Sequence, residues 1–280
     1  MKRFVLLLLG VALLTGCAGR ESVYVKSLLA GEETHSFVEM PTVDRPDLTL
    51  EQAYKEQAGY LRAQRRAGRE PVGYKVAYSS SAAQLRAEID GPVYGRLLEG
   101  MAVADGGSVI SGGFRRFVIE AEIAVTIGRT IDEPVETVED LLPYIASLHP
   151  ALEMPDALFG YDAVPGAVDM VAANTAAYRY AIGPGVAPVG FDPAELEVAL
   201  HVAQSRYSTG PAADTLGGPI HVVLWLVQTL QNEGETLRQG QVVLTGTPAR
   251  SIIQLTPDAN IATTYTADCG PLGSVSVVVR

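Results

Sequence analysis

The chain is 280 residues long and 48% hydrophobic, with 21 basic and 32 acidic side chains and a net charge of −11. That apolar content excludes disorder for most of its length and supplies a sizeable core, in one large domain or two small ones. The acidic balance excludes nucleic acid as a partner, because phosphate binding needs a basic footprint, and two cysteines cannot make a disulfide scaffold.

Lys2 and Arg3 precede an almost wholly apolar stretch from Phe4 to Leu14. A bilayer-crossing helix needs about 20 residues, so this run is too short to span a membrane and reads as a signal peptide. Leu14-Thr15-Gly16-Cys17 resembles the lipobox of bacterial lipoproteins. That resemblance implies cleavage after residue 16, a lipidated Cys17 as membrane anchor, and, with Ala18 following, the periplasmic face of the outer membrane. Cys269 would then be the only other thiol. Residues 17–46 carry Pro41 and Pro46 and no clear period, and are expected to be a tether with a short helix over Val23–Ala30.

From Asp47 the chain becomes regular. Thr49 and Gln52 have the spacing of a capping box, and Leu50, Ala53, Tyr54, Gln57, Tyr60 and Leu61 mark one helical face ending before Gly68. A strand is expected over Val72–Tyr78 and a short helix over Ser81–Ile89. Ile119–Ile127 is the clearest strand: Ile119, Ala121, Ile123, Val125 and Ile127 alternate with Glu120, Glu122, Ala124 and Thr126. A second capped helix is expected over Thr137–Leu148, and an apolar helix between Pro219 and Gly234. Gln241–Leu244 and Ile252–Leu255 read as short strands, and Ala259–Ala267 should pair with Ser274–Val279. Strands outnumber helices and do not alternate with them, so one α+β, β-rich domain over 47–280 is favoured over a doubly wound sheet.

Glu120 and Glu122 leave the same face of their strand, about 7 Å apart at the backbone. Neighbouring carboxylates repel, and either water on a solvated face or a divalent cation in a cleft relieves them. The solvated face is the ordinary outcome. Glu153 is a lone charge in an apolar segment and would supply a third hard oxygen, a set suited to Mg²⁺ or Mn²⁺. Arg115 and Arg116, just before the Glu strand, read as a solvated pair or as a hold on a distal substrate carboxylate. His149 and His221 fit structural positions better than ligand roles.

Glu120-x-Glu122 with Glu153, set among Gly73-Tyr74-Lys75-Val76, Tyr94-Gly95, Val171-Ala172-Ala173-Asn174, Leu244-Thr245-Gly246 and Gly270-Pro271-Leu272-Gly273, resembles the 2-keto-4-pentenoate hydratase family of the fumarylacetoacetate hydrolase superfamily. The resemblance runs from about residue 47 to 280. It implies a mixed-sheet roll or sandwich with flanking helices, and a lyase acting on a 2-oxo or 2-hydroxydienoate acid chelated to Mg²⁺ or Mn²⁺. It further implies Glu120, Glu122 and Glu153 as metal ligands, Lys75 as a catalytic group, Asn174 and Thr247 as substrate contacts, and a homo-oligomer. Val93 stands where the family resembles Gln-Pro-Asp-Tyr-Gly, and Ala173 where it resembles Ala-Asp-Asn-Ala-Ser. Decarboxylation, C–C hydrolysis, or binding of an oxo acid without turnover therefore remain open alternatives.

Overall fold

The computed structural model describes residues 21–254 and 262–280. The signal segment, Cys17 and residues 255–261 lie outside the described residues. Ser22 caps α1 (Val23–Thr34) by accepting from the Val25 amide at 3.0 Å. This helix buries Tyr24, Val25 and Leu28 against α3 (Leu50–Arg66). The crossing is close because Gly59 has no side chain: a Cβ there would lie 3.2 Å from Val25 Cγ2. Between them α2 (Pro41–Asp44) is tied down by Thr42, which donates from both its amide and its hydroxyl to Asp169. The stretch expected as a tether is therefore folded onto the domain from Ser22 onward. Its apolar residues find a groove, and each buried Val or Leu contributes about 1.5–3 kcal/mol.

Thr49 and Gln52 form the capping box of α3 as expected. After it come β1 (Pro71–Ala77), α4 (Ser81–Ala87), β2 (Val93–Leu98), β3 (Ala102–Val103), β4 (Gly107–Val109) and β5 (Phe117–Ile127). The expected helix over Thr137–Leu148 is only partly present. Its capping box is real, but α5 covers Val138–Leu141, and a 3-10 turn through Pro143 leads into β6 (Ile145–Met154). Proline removes the donor that the next helical turn needs, and pairing with β5 captures the residues beyond.

The rest of the chain comprises α6 (Ala167–Ala172), β7 (Arg179–Ile182), β8 (Glu197–Val202), β9 (Ser205–Pro211) and α7 (Pro219–Asn232). It closes with β10 (Val242–Leu244), β11 (Ile252–Gln254), β12 (Thr263–Asp268) and β13 (Ser274–Val279). One sheet runs β2-β1-β10-β5-β6-β7-β3, with β11 pairing β5 off this path; a second runs β4-β13-β12-β8-β9. Both are mixed: β1 with β10, β3 with β7 and β4 with β13 are parallel, and the other ladders antiparallel. This is the α+β, mixed-sheet architecture expected.

The alternation in β5 sorts the core. Ile119, Ala121, Ile123, Val125 and Ile127 enter the cluster shared with the second sheet and α7, where Val198, Leu200, Tyr265, Val277 and Leu226 meet them. The opposite face is also covered: Ala124 joins Ala151, Leu244, Tyr60 and Val171 beneath α1, α3 and α6. The face that carries Glu120 and Glu122 is thus interior, not solvated. Among the described residues no helix is long and apolar enough to cross a membrane.

Candidate metal centre

Antiparallel pairing of β5 and β6 sets Glu120 directly opposite Glu153, and the strand period puts Glu122 on the same face. One carboxylate oxygen from each lies within 4.8 Å of the others. Glu122 and Glu153 are each 1% exposed, and Glu120 is half-buried. This is a cluster made by register: Glu153 is far from Glu120 in sequence and adjacent to it across one ladder.

Each carboxylate is anchored from one side. Glu122 Oε2 accepts from the Gly246 amide at 2.9 Å. Gly246 has φ +85°, and a Cβ there would sit 2.1 Å from Ser79 Oγ, so only glycine brings that amide so near. The Ser251 hydroxyl donates to Glu120 Oε1 at 2.5 Å. The segment that delivers these donors is stitched to β5 by Thr245 Oγ1, which donates to the Ile123 carbonyl, and Thr247 Oγ1, which donates to the Ala121 carbonyl, both at 2.8 Å.

Lys75, on β1, is 4% exposed. Its Nζ lies 2.7 Å from Glu153 Oε1 and donates to the Thr175 carbonyl at 3.0 Å. The contact with Glu153 is a buried ion pair between an ammonium and a carboxylate oxygen, both almost fully removed from water. Thr175 reaches the lysine because Asn174, Thr175 and Ala176 all take left-handed backbone angles, φ 53°, 51° and 57°. Such angles cost about 1–3 kcal/mol each and persist only where the surroundings impose them. Here Asn174 imposes them. Its Oδ1 accepts from the Arg96 amide at 2.7 Å and its Nδ2 donates to the Arg96 carbonyl at 3.0 Å, so the side chain completes the open edge of β2. Gly95 leaves the room: a Cβ there would lie 2.1 Å from Thr175 Oγ1.

The charges do not balance without help. Burial first, with Glu120 adding, pushes Glu153 up to about 7 against the pull of Lys75. Burial, Glu153 and Glu120 raise Glu122 well above the usual carboxylate range. Burial opposes the Lys75 ammonium, but Glu153, Glu120 and Glu122 outweigh it and raise the lysine, so it stays protonated. Three carboxylates facing one ammonium leave an excess of negative charge in a buried place. Protons or a divalent ion neutralise it, and three hard carboxylate oxygens within 4.8 Å of one another fit Mg²⁺ or Mn²⁺.

The cluster opens into a cavity of about 1300 Å³ that includes Lys75, Thr175 and Thr247 in its lining. Of the sequence-expected residues, Lys75, Glu120, Glu122, Glu153 and Thr247 come together. Asn174 does not line the cavity; both ends of its amide are used on Arg96, and Thr175 is the residue turned inward. Val93 is buried opposite Ala77 in an apolar cluster. His149, expected in a structural position, is on β6 and bonded to Thr126, Ser147 and the Gly183 carbonyl. Sequence reasoning missed Thr175 and Ser251, whereas the Thr245-Gly246-Thr247 stretch could be read either as a turn or as a source of backbone amides at the pocket, and the Gly246 amide does face it.

Comparison with known proteins agrees with this geometry. The family model for the fumarylacetoacetate (FAA) hydrolase C-terminal domain matches residues 50–268. The chain is 31% identical to the 2-keto-4-pentenoate hydratase of Paraburkholderia xenovorans (strain LB400), over 72% of this chain and 75% of that protein. It is 29% identical to the 2-oxo-hept-4-ene-1,7-dioate hydratase of Escherichia coli, over 84% of this chain and 88% of that one. Among solved structures, 4-oxalocrotonate decarboxylase from Pseudomonas putida G7, complexed with magnesium and adipate, superposes with a TM-score of 0.85 at 25% identity. That match covers 92% of this chain and 96% of the other.

Proposed function

The chain belongs to the fumarylacetoacetate hydrolase C-terminal family, and from that premise we propose that it is a metal-dependent, hydratase-like lyase. Its substrate is a 2-oxo or 2-hydroxydienoate acid, with Mg²⁺ or Mn²⁺ held by Glu120, Glu122 and Glu153. The observation that carries this reading is the trio of carboxylates within 4.8 Å of one another, beside Lys75, at the wall of a large cavity. When bound, the ion supplies Lewis acidity that stabilises negative charge developing at the C2 oxygen. The protein's own groups do the rest. Lys75, clamped between Glu153 and the Thr175 carbonyl, offers a positive charge to the substrate carboxylate and a proton to the reacting chain. The Gly246 amide and Ser251 hydroxyl hold Glu122 and Glu120 in place, and Thr247 borders the substrate.

Titration of the full chain with Mn²⁺ and then oxalate, a 2-oxo acid mimic, tests the centre. Metal-dependent oxalate binding that is lost in Glu122→Ala is expected; binding indifferent to metal or to that substitution refutes it. Loss of dienol absorbance with 2-hydroxypentadienoate then tests hydration. Decarboxylation or C–C hydrolysis of a related oxo acid is the second reading, supported by the structural likeness to 4-oxalocrotonate decarboxylase. Release of CO₂ from an unsaturated oxo diacid would select decarboxylation. No turnover with intact oxalate binding would leave a binding protein.

Residues 1–16 are proposed as a lipoprotein signal and Cys17 as the lipid anchor to the periplasmic face of the outer membrane. The basic start, apolar run and Leu-Thr-Gly-Cys support this. Cys17→Ala should move the protein from the membrane to the soluble fraction. A homo-oligomer, tested by sedimentation, is part of the same proposal.

A further inference from the structure

Arg115 and Arg116 are neighbours in sequence with different fates. Arg115 is consumed by the fold: its guanidinium pairs with Asp156 and donates to the Ser36 carbonyl. Arg116 has no ion pair or side-chain hydrogen bond among the described residues, and its Nε is buried without a partner. A guanidinium keeps its charge at any working pH, so a half-buried one without a carboxylate is costly unless something anionic comes to it.

Its position says what that anion is attached to. Side chains of β5 alternate, so Val118, Glu120 and Glu122 form one row; Arg116, in the bend immediately before the strand, lines the same cavity as these three. Along the chain the lining passes from the arginine, by an apolar residue, to the carboxylate trio. Arg116 and Glu120 are four residues apart, about 13 Å between Cα atoms along an extended chain, which leaves room for a short carbon chain between the two. Total charge points the same way. Four basic and four acidic side chains line the cavity and cancel, so a bound divalent ion leaves an excess of two positive charges. The other two arginines of the lining, Arg86 and Arg250, are exposed, and Arg250 lies over the Tyr207 ring; water screens them.

We propose that Arg116 receives the distal carboxylate of the substrate, which is therefore a dicarboxylic 2-oxo acid laid along β5 with its apolar middle against Val118. This deepens the reading of the metal centre and rests on it. The two are separable by three ligands given to the Mn²⁺-loaded full chain: oxalate, 2-oxohexanoate and 2-oxoadipate. Oxalate binding reports the centre itself, and its absence would fail the functional reading. With oxalate bound, a preference of about tenfold or more for 2-oxoadipate over 2-oxohexanoate is expected, the scale of one charge-assisted bidentate contact. Arg116→Met should collapse that ratio, and Arg116→Lys should keep part of it. Equal binding of the two oxo acids by the unaltered chain would overturn the proposal. So would a ratio that survives Arg116→Met, or one lost in Arg250→Ala instead. If Arg116→Met does not fold, Arg116→Lys decides: an unchanged ratio with oxalate still bound overturns the proposal, and a reduced one supports it.

Discussion

Metal binding at this centre should release protons, and the metal-free chain should grow less stable as pH rises. Glu153 is raised from an ordinary 4.5 to about 7 in the folded chain, and burial together with Glu153 and Glu120 also raises Glu122 well above the usual carboxylate range. A carboxyl whose folded value is raised binds more protons folded than unfolded, so its contribution is lost as pH climbs from about 4.5 through 7. For Glu153 the shift is worth about 3 kcal/mol, as an order of magnitude for a group that titrates with its neighbours. Lys75, raised from 10.5, stays charged throughout that window and adds no slope to it. The ion binds the deprotonated carboxylates, so Mn²⁺ binding at pH 6 should release protons, and the Glu153 share of that release should fall away as pH rises past about 7. Calorimetric titration at pH 6 in two buffers of different ionisation enthalpy measures the release. Melting curves from pH 5 to 8, with and without Mn²⁺, measure the stability, and the stabilisation by metal should widen with pH. Glu153→Gln should flatten the metal-free slope. No proton release at pH 6, or a metal effect on melting that is flat with pH, would show that these carboxylates are not the buried, mutually repelling set described.

Lys75→Met removes the ammonium next to Glu153 and should abolish turnover while Mn²⁺ binds no more weakly, since a competing cation has gone; Mn²⁺ titration and rates on one sample check both halves. Gly95→Ala puts a methyl 2.1 Å from Thr175 Oγ1 and 2.6 Å from the Asn174 carbonyl, so thermal melting should show a loss of about 3 kcal/mol or more. In a Cys17→Ala background Cys269 is the only thiol. It is fully buried and raised to about 12 by burial, so a thiol reagent should label it only after denaturant unfolds the chain.

Local chemistry was legible wherever the sequence contained both partners of an interaction. Thr49 and Gln52 cap each other across three residues, and Pro219 opens α7 where expected. The alternation in β5 named the residues that now fill the inter-sheet core. Legibility failed where the competitor was distant. In Thr137–Leu148 the capping box opened a helix and Pro143 was the local mark of its end, but nothing local announced that β5 would pair with the residues beyond. Asn174 looked like a polar ligand because its true partner, the Arg96 backbone, belongs to an edge strand far away in the chain.

The two glutamates of β5 draw the same line. Their spacing alone puts both side chains on one face, since a strand has a period of two. Whether that face meets water or a cavity depends on what covers it: α1, α3 and α6 pack over its neighbours, and β6 adds the third carboxylate opposite Glu120. Sequence by itself determined which donors exist and which way each strand turns them. Only the tertiary structure decided that they converge, lose their water and face Lys75, because burial and register are properties of segments that find one another in space.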